Sequence, residues 1–264
     1  MMKVNYVMKA WYKKILSLLI CCLSATGYAQ SAGWQETNSI DNKPARWYFG
    51  VEYGIPFLFG DLTTFSVDKT YLGYQVGGFA GYRFNHKIGL EFAVGTGGTK
   101  LGSKSYATDY LVDEGGMTYY VGQAFPTWAY KDIYSKVQYI NIGLQANINL
   151  SNLFSTVPRE RRWTVLLSPA IYMQHFSPDL YVKADKSRLK GVSTDKLNIG
   201  LGGNLALRYS ASRLFDLQLR TGIIWVNNNK MDGIYTLIKS KDHFMISTGI
   251  ALIWKTGRTS FTHK

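Results

Sequence analysis

The chain has 264 residues, with 30 Lys and Arg against 17 Asp and Glu, so its formal net charge is +13. Aromatic residues make up 15% of the chain, and there are 26 glycines. This composition argues against a disordered chain, which lacks aromatic residues, and against a helical bundle, in which glycine and aromatic residues are poor formers. The positive charge raises the question of nucleic-acid binding, which depends on where the charges lie along the chain.

The first 29 residues have the features of a secretory signal peptide. An apolar run at 15–23 follows four lysines, and small residues occupy the −3 and −1 positions of a cleavage site after Ala29. The run is too short to span a bilayer. Cleavage removes both cysteines, Cys21 and Cys22, so we expect the exported chain to form no disulfide. It leaves 26 basic and 17 acidic residues, a net charge of +9.

Eight later segments alternate apolar and polar residues, which is the period of a β-strand. In 138–150, for example, apolar Ile140, Ile142 and Leu144 alternate with Asn141 and Gly143. The segments are about twice the usual strand length of about five or six residues, and Pro169 weakens the pattern in one of them. This length fits a tilted transmembrane strand with an apolar lipid face and a polar lumen face. The predicted strands are 47–57, 72–84, 88–99, 138–150, 163–175, 197–209, 215–226 and 243–254.

The connections between these segments alternate in length, as in outer-membrane barrels with short periplasmic turns and long outer loops. The sequence therefore predicts an all-β fold, an eight-stranded antiparallel transmembrane up-and-down β-barrel over 47–254, with no soluble second domain. Both mature termini are expected in the periplasm, with a lead at 30–46 and a tail at 255–264. Short turns are expected at 85–87 and 210–214, a middling connection at 151–162, and long loops at 58–71, 100–137, 176–196 and 227–242.

Aromatic residues on the lipid-facing parity are predicted to form two girdles at the membrane surfaces. The periplasmic girdle is predicted to contain Trp47, Phe84, Trp163, Tyr209, Phe215 and Trp254. The outer girdle is predicted to contain Phe57, Tyr74, Trp225 and Phe244.

Several stretches together resemble the small OmpA-like, or PorT-like, outer-membrane β-barrel family. They are a signal peptide ending in YAQ, a first strand WYFGVEYG, a Gly-rich YLGYQVGGFAGYRF leading to IGLEFAVG, and a final strand FMISTGIALIW. The resemblance covers about residues 46–254 and implies a fold and an outer-membrane location, not a reaction. Two departures are the absence of the peptidoglycan-binding domain of some members and the ten residues after Trp254. Such barrels commonly end on an aromatic residue, so Phe261 is an alternative end for the last strand.

The inward parity is predicted to place six charged residues in the lumen, where buried charges must be paired. We expect Arg220 to pair with Glu52 and Glu91 near mid-barrel, and Arg208 to approach Asp216 at the periplasmic end. Because an eight-stranded barrel is just wide enough to be filled by side chains, a structural salt-bridge network is favoured over a narrow gated channel. The predicted network comprises Glu52, Arg83, Glu91, Arg208, Asp216 and Arg220.

The loops 100–137 and 176–196 are the candidate interaction surfaces. The first is rich in tyrosine and is a candidate partner or glycan surface, because amphipathic aromatic residues are favoured at interfaces. The alternative is that the flanking strands extend above the membrane as hairpins whose aromatic residues pack together. Neither pattern names a partner beyond outer-membrane lipids and lipopolysaccharide.

One pair of residues raises an enzymatic alternative. His175 and Ser177 are two residues apart and so share a strand face, at the outer end and on the lipid-facing parity. Lipid A deacylases, which share the small-barrel architecture, use a His as base and a Ser as nucleophile so placed. Here Pro178 replaces the Asn of that family, and Asp179 is the sole weak candidate for an orienting acid.

No cofactor or metal site is predicted. The four histidines, at 86, 175, 243 and 263, lie on separate segments without ligand spacing, and the Gly clusters at 95–98 and 200–203 are not followed by a helix that could cradle phosphate. The positive charge is assigned to the periplasmic side, next to anionic lipid head groups, and not to nucleic acid. The residues that dominate it are Arg159, Arg161, Arg162, Arg213, Lys255, Arg258 and Lys264.

The sequence thus favours a monomeric integral outer-membrane barrel with a structural, adhesive or interaction role through its loops. A lipid-modifying enzyme is the second hypothesis, and a narrow channel is the third.

Overall fold

A computed structural model describes residues 47–104, 128–153, 162–189, 196–212, 214–226, 231–234 and 243–256. The predicted signal peptide, the lead at 30–46 and residues 257–264, including Phe261, lie outside these ranges. The strands are β1 (Trp47–Phe59), β2 (Leu62–Thr63), β3 (Tyr74–Arg83), β4 (Ile88–Ser103), β5 (Ile133–Asn149), β6 (Trp163–Val182), β7 (Lys196–Ser210), β8 (Phe215–Val226) and β9 (His243–Thr256). A 3₁₀ turn (Tyr130–Asp132) precedes β5, and a one-turn helix, α1 (Leu150–Leu153), follows it. No helix among the described residues has the length and apolar character needed to cross a membrane.

Eight of the strands form a closed antiparallel ring. Each strand pairs with the next one along the chain, apart from the two-residue β2, and β1 pairs with β9 from Trp47↔Thr256 to Phe59↔Phe244. Strand β2 pairs with the ends of β1 and β4 at the rim opposite the short β3–β4 and β7–β8 turns. The predicted eight-stranded up-and-down barrel is therefore confirmed, with its strands at β1 and β3–β9.

The alternating sequence pattern produces two different barrel surfaces. In β8, Phe215, Leu217 and Leu219 are exposed on the outside, while Asp216 and Gln218 are buried inside. Successive side chains of a strand point to opposite faces, so a period of two in the sequence becomes an apolar exterior and a polar interior. Two threonines at mid-height on the exterior of β8 and β9 form a hydrogen bond with each other, and Thr221 Oγ1 lies 2.5 Å from Thr248 Oγ1.

The glycines of the inward parity make room for large lumen rings on neighbouring strands. A Cβ on Gly81 would lie 2.0 Å from the Tyr48 ring, and a Cβ on Gly50 would lie 2.2 Å from the Phe79 ring. Both aromatic side chains are almost completely buried. Glycine at these positions lets the interior of a narrow barrel hold aromatic residues.

The strands are unequal in length, and the extra residues of the longest strands lie at the rim opposite the short turns. β4, β5 and β6 have 16, 17 and 20 residues, whereas β3 and β8 have 10 and 12. A membrane-spanning strand needs about 9–11 residues. The outer face of β6 changes from Ile171 and Met173 to His175, Ser177 and Asp179, so its last third is no longer apolar outside.

The longer strands also change the boundaries of two predicted loops. β4 extends into the predicted 100–137 loop and ends at Ser103, and β5 begins within the same loop at Ile133. β6 extends into the predicted 176–196 loop and ends at Val182. Hairpin extension of the strands is thus present at both ends of the long segment, while its tyrosine-rich part at 105–127 lies outside the described residues.

Two further local features follow from the backbone. Pro169 lies within β6. The β5–β6 ladder is interrupted there, between the pairs Gln145↔Ala170 and Ile148↔Leu167, because proline has no N–H to donate. Strand β9 continues two residues past Trp254, so the predicted boundary at 254 is too early.

Candidate functional site

The end of the lumen next to the short β3–β4 and β7–β8 turns holds a cluster of charged side chains around Asp216. Lys255 Nζ lies 2.6 Å from Asp216 Oδ1, Arg83 NH2 lies 3.6 Å from Oδ2, and the Ser210 hydroxyl donates to Oδ1 at 2.7 Å. The sequence assigned Lys255 to a periplasmic tail, which is wrong, because β9 continues through it and turns its side chain inward.

Arg208 does not pair with Asp216 as expected. Its Nε donates to Gln218 Oε1 at 2.8 Å, and its guanidinium lies 5.1 Å from the centre of the Tyr48 ring. The physical reason is the strand register, because β7 and β8 place Gln218 directly opposite Arg208 and leave Ser210 opposite Asp216.

The middle of the lumen holds an ion-pair triad of Glu52, Glu91 and Arg220. Arg220 NH2 lies 2.9 Å from Glu91 Oε1, and NH1 lies 3.2 Å from Glu52 Oε2. The exposed fractions of these side chains are 7% for Arg220, 0% for Glu91 and 11% for Glu52. The structure thus brings three of the six sequence-predicted lumen charges into direct contact, and the Arg220 guanidinium also lies 4.7 Å from the Phe79 ring centre.

Neutral donors complete the surroundings of Glu91. The Tyr48 hydroxyl donates to Glu91 Oε2 at 2.9 Å, Asn147 Nδ2 donates to the same oxygen at 3.0 Å, and Gln145 Nε2 donates to Oε1. Asn204 links Gln145 to the Tyr172 hydroxyl. A buried carboxylate with one cation and three neutral donors meets the requirement for charge inside a protein.

Two small cavities lie in the described part of the interior. One of about 60 Å³ lies near the short turns beside Arg83, Arg208 and Asp216, and one of about 50 Å³ lies at mid-barrel beside Glu52 and Arg220. The two share no lining residue. Each has room for a few water molecules and is well below the roughly 300 Å³ of a small-molecule site.

The end of the lumen opposite the short turns is filled by apolar side chains. They come from strands β1, β2, β4, β5, β6, β8 and β9, from the 3₁₀ turn before β5, from the β6–β7 connection, and from 231–234 in the β8–β9 connection. The sequence did not predict this apolar closure, because its residues are spread along the chain from Leu58 to Met245. Its fully buried members include Leu58, Leu62, Leu101, Ile133, Leu180, Met231, Ile234 and Met245.

Three ligand-type side chains meet beside this apolar closure. Asp61 follows β1, Asp232 lies in the β8–β9 connection, and His243 begins β9, and one ligand atom from each lies within 4.8 Å of the others. The prediction that no histidine has ligand partners is therefore wrong for His243. Asp61 and Asp232 are 171 positions apart in the sequence, so no spacing could reveal the cluster, although an Asp in each of two long loops was visible.

The electrostatics of this cluster are set by burial. Asp232 lies in the β8–β9 connection, outside the strands. Burial raises the pKa of Asp232, and the His243 imidazole only partly opposes this.

His175 and Ser177 lie on the outer face of β6, half-buried, with Ser177 Oγ 3.4 Å from His175 Nε2. The weak candidate for an orienting acid, Asp179, pairs instead with Arg188. Among the described residues no carboxylate pairs with His175, so this His and Ser lack the third group that orients a catalytic base.

The ten residues predicted for the girdles all lie on the outward face of the barrel. Several are direct cross-strand partners, namely Trp163↔Tyr209, Phe215↔Trp254 and Trp225↔Phe244. The Trp163 and Tyr209 ring centres are 4.6 Å apart. Phe57 and Tyr74 lie toward one rim of the barrel, in β1 and at the start of β3, and Trp47 and Phe84 lie toward the other, at the start of β1 and just after β3.

No protein-family model matches the chain, and no curated protein matches it. Among solved structures, it is similar to Neisserial surface protein A (16% identity, TM-score 0.43, covering 79% of this chain and 96% of that one). It is also similar to Ail, the attachment invasion locus protein of Yersinia pestis (11%, 0.42, 80% and 99%), and to a major outer membrane protein from Thermus thermophilus (16%, 0.45, 78% and 99%). At these levels of similarity, the assignment of the fold rests on the strand pairing of the chain itself.

Proposed function

We propose that the chain is an integral outer-membrane β-barrel of the small OmpA-like or PorT-like kind, with a non-catalytic structural, adhesive or interaction role. The observation that carries this proposal is the apolar band between the two girdles. In β8 the band runs from Phe215 to Trp225, ten residue steps, or about 33 Å along the strand. At a tilt of about 40° this corresponds to a height of about 25 Å, that of the apolar band of outer-membrane barrels.

The interaction role rests on the extended wall of β4, β5 and β6 above the band. Its outer face is polar and aromatic, with Tyr134 and Tyr181 stacked 5.3 Å apart and Lys136 Nζ 4.3 Å from the Tyr181 ring centre. Tyrosine and arginine are enriched at protein interfaces. A second protein, in the outer membrane or outside the cell, is the partner that this surface fits.

We infer that the lumen does not conduct ions. Its mid-barrel charges are paired by Arg220, its cavities are small and separate, and apolar side chains fill the outer third. Such a barrel inserted into a planar bilayer is expected to give no stable unitary conductance. Discrete conductance steps would favour the narrow channel.

Membrane insertion is tested by gel migration with and without boiling and by cell fractionation. We expect heat-modifiable mobility and recovery in the outer-membrane fraction. Fixed mobility, together with absence from that fraction, would contradict the proposal.

Orientation is tested by single-cysteine labelling, which is possible because both cysteines precede the proposed cleavage site. Ala184→Cys, after the extended end of β6, is expected to react with a membrane-impermeant maleimide in intact cells. Ala211→Cys, in the short β7–β8 turn, is the matched control and is expected to react only after permeabilisation; both positions are exposed. The reverse pattern would invert the proposed topology.

Crosslinking from intact cells at the β5–β6 wall tests the interaction role. Benzoyl-phenylalanine at Lys136 is expected to capture a defined protein, and the same probe at Leu217 in the apolar band is the control. Identical products from both positions would argue against a specific partner surface.

A further inference from the structure

We propose that Asp61, Asp232 and His243 bind one divalent transition-metal ion of the Zn²⁺ class, which fastens the β8–β9 connection to the barrel wall. The three residues come from the turn after β1, from the 231–234 segment and from the first position of β9. A metal ion at this point would tie the 231–234 segment to the paired ends of β1 and β9.

The distances match a metal centre better than a direct ion pair. His243 Nε2 lies 3.7 Å from Asp61 Oδ2, too far for a charge-assisted hydrogen bond of about 2.7–2.9 Å. With metal–ligand bonds of about 2.0–2.2 Å, two ligand atoms of a tetrahedral site lie about 3.4 Å apart. A central ion therefore accounts for a separation that leaves the two side chains close but not bonded to each other.

The polar atoms around the centre lack partners. Both ring nitrogens of His243 and Oδ2 of Asp61 are buried without a hydrogen bond in the described part of the chain, and His243 is only 1% exposed. Buried polar atoms without partners are rare and costly. A bound cation gives Nε2 of His243 and Oδ2 of Asp61 the partner that the protein does not supply.

The third ligand is held in place by the backbone. Leu62 N–H donates to Asp232 Oδ2 at 2.8 Å, and Ile234 N–H donates to Oδ1 at 3.2 Å. Supporting hydrogen bonds of this kind orient ligating carboxylates in metal sites.

Glycine at position 60 keeps space next to these atoms. A Cβ there would lie 2.7 Å from Asp232 Oδ2 and 3.1 Å from His243 Nε2. Any other residue would crowd both ligand atoms at once.

Charge balance and ligand type decide the class of ion. Two buried carboxylates with one neutral imidazole carry a charge of about −2, which a divalent cation cancels. One nitrogen and two oxygen ligands suit Zn²⁺ and its neighbours in the transition series, whereas Ca²⁺ and Mg²⁺ prefer all-oxygen sites. Three protein ligands leave one tetrahedral position for water.

The test is direct metal binding to the folded full chain in detergent, after treatment with a chelator. We expect one Zn²⁺ per chain by elemental analysis and calorimetry, and we expect Co²⁺ but not Ca²⁺ or Mg²⁺ to occupy the metal-free site. Loss of even an outer hydrogen-bond partner of a ligand typically weakens metal binding by about 10–100-fold. We therefore expect loss of the ligand in Asp61→Asn to weaken binding by at least about 100-fold, and crowding of two ligand atoms in Gly60→Ala to weaken it by about tenfold or more. His86→Gln, at the opposite end of the barrel, is the matched control and is expected to bind like the wild type.

Heat-modifiable gel mobility verifies that each variant is folded. For the wild type alone, X-ray absorption at the zinc edge is expected to show a single imidazole with oxygen ligands, which needs no variant. Absence of stoichiometric Zn²⁺, coordination without imidazole, or wild-type affinity in folded Gly60→Ala and Asp61→Asn would each overturn the proposal. None of these metal-binding results bears on membrane insertion, which cell fractionation tests separately.

Discussion

Replacing Arg220 by alanine is the most informative perturbation of the lumen. Arg220 is the cation that contacts both Glu52 and Glu91, at 3.2 and 2.9 Å. Its removal leaves two buried carboxylates without a positive partner, and breaking a buried pair in this way typically costs about 3–5 kcal/mol. The cavity of about 50 Å³ beside Arg220 admits water to the vacated space, so we expect a loss near the lower end, about 3 kcal/mol.

The assay is equilibrium urea unfolding in lipid vesicles, followed by tryptophan fluorescence and by gel mobility. Arg188→Ala is the matched control, because Arg188 forms an ion pair with Asp179 whose side chains are 57% and 37% exposed. Exposed pairs contribute about 0–1 kcal/mol. The same chemical change should therefore cost several times more inside the barrel than at its rim.

A second variant separates lost charge pairing from lost packing. Arg220→Ala leaves the negative charge of Glu91 without a cation, and Glu91→Gln removes that charge. The double variant is therefore expected to regain part of the lost stability. Equal unfolding free energies for Arg220→Ala and Arg188→Ala, or a double variant whose losses simply add, would refute the charge-pairing argument.

Three other predictions concern the lumen wall and the outer face. Gly81→Ala places a Cβ 2.0 Å from the Tyr48 ring and is expected to lower the free energy of unfolding in urea by about 1–3 kcal/mol. In the control Gly78→Ala the nearest atom to the new Cβ is 3.6 Å away, so the free energy of unfolding should hardly change. Equal effects of the two substitutions would contradict the packing of the Tyr48 ring over Gly81. Tyr48→Phe removes a donor to buried Glu91 and should cost about 1–3 kcal/mol by the same assay, and wild-type stability would count against that hydrogen bond. Ser177→Ala should leave the acyl pattern of lipid A, measured by mass spectrometry, identical to that with the wild type; an acyl chain removed by the wild type and kept with Ser177→Ala would revive the enzymatic hypothesis.

The fold could be predicted because its determinants are local in the sequence. The alternation of apolar and polar residues specifies which face of each strand points outward, and a strand such as 215–226 has the bounds that its periodicity predicts. Strand ends at the outer rim were less predictable. In β6 the outward parity turns polar at His175, so hydrophobicity ends there although the backbone pairing continues to Val182.

The sequence predicts which charged residues face the lumen, but not which residues they contact there. That Glu91 and Arg220 face inward follows from alternation, but which charges meet depends on the stagger between strands, and a shift of two residues changes every neighbour. The choice of Gln218 as the partner of Arg208 shows this dependence. Lys255 was missed because its strand was taken to end one residue before it.

The two ends of the lumen differ in how their buried charges are neutralised, and the difference follows from the connections. At the end next to the short turns, Lys255 and Arg83 come from the strands themselves and neutralise Asp216 beside a cavity with room for water. At the opposite end, the 231–234 segment adds apolar Met231 and Ile234 to the closure, so that Asp232 lies among apolar side chains with His243 beside it. Carboxylates in apolar surroundings must acquire a cation or a proton. The site at which the fold most needs an added cation is therefore the one at which Asp61, Asp232 and His243 meet.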